Sequence, residues 1–125
     1  MNGRRSIPPD LTAELLLDVF DLPISFHRCL VPITGGVTAA LMLSQAIWTS
    51  EALDPEVGGW FCRSQEEWTE ETGLSRWEQE TARRALRTGG FLEERRAGMP
   101  AKLWFRVRPE AVGRALQAHA NPVRR

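Results

Sequence analysis

The chain has 125 residues, 42% hydrophobic and 26% charged, the size and composition of one globular domain with a single core. Sixteen basic residues balance sixteen acidic ones, so net charge alone draws it neither to nucleic acid nor to a membrane. No apolar run approaches the ~20 residues that span a bilayer and no signal-like segment opens the sequence, so no membrane association is expected and the cytoplasm is the expected location.

Residues 1–9, "MNGRRSIPP", are polar and basic and are expected to form a flexible arm before a single domain over 10–120. Asp10 can cap a helix over "LTAELLLDVF", which Leu22-Pro23 ends. "ISFHRCL" then predicts a short strand with Ile24 and Phe26 on one face. "GGVTAALMLSQAIWTSE" predicts the most apolar helix. At about 100° per residue, Val37, Ala40, Leu41, Ser44, Ile47 and Trp48 share one side. Ala39, Met42, Leu43 and Ala46 flank them, and Thr38, Gln45 and Thr49 form a narrow polar stripe. A helix apolar over most of its circumference is central to the domain, partly covered by a second subunit, or both. "EALDPEVGG" reads as a loop, and "WFCRS" as a short extended segment leading out of it.

Ser64 to Gly90 carries paired start and stop signals. Ser64-x-x-Glu67 and Ser75-x-x-Glu78 are capping boxes, in which the serine oxygen accepts a backbone N–H and the glutamate reaches back. Gly73 and Gly89 stand where the two helices need left-handed terminators. Trp68, Leu74, Ala82, Ala85 and Leu86 supply the apolar contacts between the helices. Gln79 points toward the core and would need hydrogen-bond partners there, such as the backbone of the first helix. "FLEERRAGMPAKLWFRVRPE" predicts two strands around a turn at Ala97 to Pro100, with Leu92, Leu103, Phe105 and Val107 facing the core. "PEAVGRALQAHANP" predicts a terminal packing helix, a candidate dimer element, before a basic tail at 121–125.

The fold class expected is α+β, mainly helical. In "EEWTEETGLS", "ETARRALRTGGFLEE" and the hairpin after them, the chain resembles the winged helix-turn-helix superfamily. The helix-turn-helix spans 64–89 and the wing 91–108, with flanking helices. With "GVTAALMLSQAIW" upstream, the layout is also similar to small phage- and plasmid-encoded winged-helix proteins, including replication-initiator-type modules. The resemblance implies double-stranded DNA binding, as a homodimer, in the regulation of transcription or replication. The second helix would lie in the major groove and the wing on backbone or minor groove.

On that second helix Ser75, Arg76, Trp77, Thr81, Arg83, Arg84 and Arg87 are the candidate DNA-binding residues. Arg76, Trp77, Thr81, Arg84 and Arg87 are assigned to the groove and Arg83 to phosphate. The wing candidates are Arg95, Arg96 and Lys102. About six phosphate contacts would give a log–log salt slope near −5. Zero net charge, the crowd of Glu66, Glu67, Glu70 and Glu71 on the first helix, and an outward Trp77 favour an alternative: the same scaffold binding a protein partner, such as a replication or phage component, and no DNA. Glu70 and Glu71 either face away from the groove or flank it and repel phosphate.

No enzyme is expected. Cys29 and Cys62 lack ligand spacing, His27 and His119 are isolated, and neighbouring glutamates diverge on a helix, so no metal, cofactor or paired-carboxylate site is expected. Gly35-Gly36 before a helix is explained by capping better than by phosphate binding.

Overall fold

A computed structural model describes residues 12–13 and 23–120. The arm, most of the first expected helix and the basic tail lie outside the described residues. A 3-10 turn at Arg28–Leu30 runs into α1 (Val31–Thr34), followed by α2 (Val37–Glu51) and a 3-10 turn at Pro55–Val57. Then come β1 (Trp60–Cys62), α3 (Gln65–Thr72), α4 (Arg76–Gly89), β2 (Leu92–Ala97), β3 (Lys102–Val107) and α5 (Pro109–Ala120). The strands form one three-stranded antiparallel sheet in the order β1-β3-β2. The described chain is therefore α+β with helix in the majority. No single described helix is long and apolar enough to cross a membrane.

The strand expected at "ISFHRCL" is absent. Residues 23–27 have no regular structure, and the His27 backbone N–H donates to the Ser44 hydroxyl (3.0 Å) rather than to a strand neighbour. Leu30, from the 3-10 turn, is the residue of this stretch that enters the core.

α2 is the central helix, and its face is turned from the expected one. Ala39, Ala40, Met42, Leu43 and Ala46 are buried, together with Gln45 and Thr49 of the supposed polar stripe. Gln45 tolerates burial because its Nε2 donates to Glu71 Oε1 at 3.1 Å. The Thr49 hydroxyl is buried and has no hydrogen-bond partner among the described residues. Val37 and Trp48, on the side read as apolar, are 61% and 56% exposed.

β1, α3 and β3 meet in an aromatic cluster. Trp68 stands edge-on to Phe105 with ring centroids 5.3 Å apart, and Phe61 packs against both. Strand alternation sends Phe61, Leu92, Phe105 and Val107 into the core under the helices. α5 contributes Val112 to the same core.

Candidate nucleic-acid interface

Both helices of the central pair start as their sequences require. The Ser64 Oγ accepts from Glu67 N (3.0 Å) while Glu67 Oε1 accepts from Ser64 N (2.8 Å). Ser75 and Glu78 repeat the box at 3.2 and 2.9 Å. Gly73 ends α3 at φ 78°. α4 runs one residue further than expected: Gly89 stays helical and Gly90 takes the left-handed position. A Cβ on Gly89 would come within 2.4 Å of the Phe91 ring, so this glycine is required by packing and not by its backbone.

Gln79 fixes the angle between the pair. It is buried, and its Nε2 lies 2.9 Å from Thr69 Oγ1 and 3.1 Å from the carbonyl oxygens of Gln65 and Leu74. One amide thus bridges the start of α3, its last turn and the corner.

With α4 so held, its outer surface presents Arg76, Trp77 and Arg84, all exposed, with Trp77 73% accessible. Neither Arg76 nor Arg84 has a carboxylate partner among the described residues. Thr81 is half-buried and returns its hydroxyl proton to the Trp77 carbonyl (3.1 Å). Ser75 is engaged as the cap.

Arg83 and Arg87 are placed differently from Arg76 and Arg84. Arg83 Nε and Nη2 grip the Glu94 carboxylate at 2.9 and 2.8 Å, and Arg87 Nη1 joins it at 2.8 Å. The Glu94 side chain is only 9% exposed. Burial by itself would raise its pKa, but the hydrogen bonds and charge of Arg83, then those of Arg87, reverse this and hold it below the usual carboxylate range. The same bonds raise Arg83, against the opposing effect of burial. Arg83, expected at phosphate, therefore has its planar fork filled from within the molecule. It fastens α4 to β2. Arg87, 46% exposed, keeps part of its guanidinium free.

The wing cations also diverge. Arg96 pairs in register with Leu103 on the helix side of the sheet. Arg95 pairs with Trp104 on the opposite side and lays its guanidinium 4.3 Å from the Trp60 ring centroid. Lys102 is exposed at the start of β3, within electrostatic reach of Glu67. A notch of about 310 Å³ beside it is lined by Arg63, Ser64, Glu67, Gln79 and Arg83.

Of the acidic residues on α3, Glu67 is a cap. Glu71 turns back to Gln45 and to Arg63, whose Nε lies 2.8 Å from it in an ion pair without linear hydrogen-bond geometry. Glu66 and Glu70 remain exposed and unpaired among the described residues.

Sequence reasoning missed Glu94. The signal was the strand period: with Leu92 inward, Glu94 is inward too, and an inward carboxylate requires cations such as Arg83 and Arg87 one helical turn apart. Comparisons of the chain with family models, curated proteins and solved structures give no match.

Proposed function

We propose that the domain is a winged helix-turn-helix that binds double-stranded DNA without catalysing a reaction, in a regulator of transcription or replication. The element order helix, strand, helix pair, hairpin, with strand order β1-β3-β2, supports that fold. The observation that carries the function is the outer face of α4. Arg76 and Arg84 stand there outside any ion pair among the described residues, beside the exposed Trp77, on a helix pinned to the hairpin through Glu94. Free guanidinium groups on a rigid helix suit bidentate pairing with guanine or phosphate. Arg76, Trp77 and Arg84 are assigned to the groove, Arg76 and Arg84 each meeting a phosphate at its edge, with Arg87 at its margin; Arg96 and Lys102 are assigned to phosphate. Arg83 has the structural role described above. A second copy of the chain is proposed to cover the exposed Val37 and Trp48 of α2 together with Phe26, itself 42% exposed.

A protein partner on the same face is the second reading, favoured by the exposed Glu66, Glu70 and Glu80 and by the bare indole of Trp77. Duplex binding is tested by changing Arg76 and Arg84 to Ala. Loss of affinity for a labelled duplex with the fold retained supports the DNA role. Wild-type protein that binds no duplex but retains a protein partner, lost on Trp77→Ala, supports the alternative.

A further inference from the structure

The sheet has a second face, turned away from the helices. Its inward positions Phe61, Leu92, Phe105 and Val107 are buried, whereas no outward position is. Register places Trp60, Arg106 and Glu93 in one outward row and Cys62, Trp104 and Arg95 in the next. Both indoles are half-buried. Arg95 and Arg106 lie 4.3 and 4.8 Å from the Trp60 ring centroid, and Trp104 Nε1 donates to the Ala97 carbonyl at 3.4 Å. Arg106 and Arg108 share Glu93, and Arg108 also meets Glu110. Arg95 and Lys102 have no carboxylate partner among the described residues and are exposed. The face thus combines two half-buried indoles with guanidinium groups and carries Arg95 and Lys102 outside any ion pair among the described residues, on a chain whose net charge is zero.

We propose that this outer sheet face binds single-stranded nucleic acid. Unpaired bases stack on Trp104 and on the Arg95–Trp60 layer, while Arg95 and Lys102 hold the strand's phosphates. Three features select this occupant. The unpaired cations call for an anion. The planar groups call for flat rings, which a duplex keeps inside its own stack and an acidic peptide lacks. The two indoles lie on the sheet surface and not in the core, so stacking here is tolerant of sequence. This site lies on the opposite side of the sheet from Arg96 and α4; it shares Lys102 with the duplex reading, and Trp104 and Arg95 are the residues that separate the two.

The test is fluorescence anisotropy of the full chain with a labelled oligothymidylate and, separately, with a labelled duplex. The wild type is expected to bind the single strand with a log–log salt slope of about −1.4, from two phosphates at about −0.7 each. Trp104→Ala is expected to weaken single-strand binding by about tenfold or more and to leave duplex binding unchanged. Arg95→Ala, at an exposed position, is expected to weaken it as well without touching the core. Arg76→Ala with Arg84→Ala is expected to spare the single strand. Absence of single-strand binding by the wild type would overturn the proposal. So would insensitivity to Arg95→Ala, or competition by polyglutamate as effective as that by unlabelled oligonucleotide, which would mean charge without stacking.

Discussion

Glu94 ties α4 to the hairpin through Arg83 and Arg87. Removing it leaves Arg83, whose side chain is 21% exposed, without its counter-charge. Breaking a fully buried pair costs about 3–5 kcal/mol; here partial solvent access reduces the expected loss for Glu94→Ala to about 2 kcal/mol, read as a lower midpoint in urea. The pH dependence follows from the depressed pKa of Glu94. Its stabilisation is present in full above the unfolded carboxylate value of about 4.3 and is lost as pH falls through the lower folded value. Glu94→Gln should therefore be less stable than wild type at pH 7 and should lose less stability on acidification. Glu67 and Glu93, also depressed, keep some acid dependence in the variant. Equal acid slopes for the two proteins would show that the clasp does not form.

At the scale of elements, local signals worked where the chemistry is local. The two capping boxes, the left-handed Gly73 and the alternation of Leu103, Phe105 and Val107 were all legible, since each depends on neighbours a few residues away. The need for partners at Gln79 was legible for the same reason. What was not legible depended on distant contacts. Residues 23–27 have strand-like composition, but their backbone is drawn to Ser44 of α2. Gln45 and Thr49 look solvent-facing until Glu71 and the neighbouring helices cover them. The same distinction gives two tests. Gln79→Leu keeps the volume but leaves Thr69 Oγ1 short of a donor and the Leu74 carbonyl with the Thr69 hydroxyl alone, and it should cost about 1–3 kcal/mol with helix content retained. Gly89→Ala should stabilise by about 1 kcal/mol on helix propensity alone. The Phe91 ring, 6% exposed, occupies that space, so overpacking of about 1–3 kcal/mol should dominate and lower the melting temperature. A rise in melting temperature would contradict the placement of Phe91.

For the whole molecule, neutrality means that function depends on how charge is arranged. The fold does not gather every candidate cation into one strip: Arg83 is tied to Glu94, Arg95 is on the far side of the sheet, and Arg76, Arg84, Arg96 and Lys102 stand outside any ion pair among the described residues. The exposed Val37, Trp48 and Phe26 give the assembly its own test. Trp48→Lys should convert the proposed dimer to a monomer in light scattering with secondary structure unchanged, and a wild-type monomer at high concentration would remove the dimer. Salt dependence of duplex binding tests the central claim most directly. Four phosphate contacts, rather than the six expected from sequence, give a log–log slope of about −3.6. Removing Arg76 and Arg84 together should bring the slope to about −1.8. A slope near zero, or one that the double substitution leaves unchanged, would contradict duplex recognition by this face.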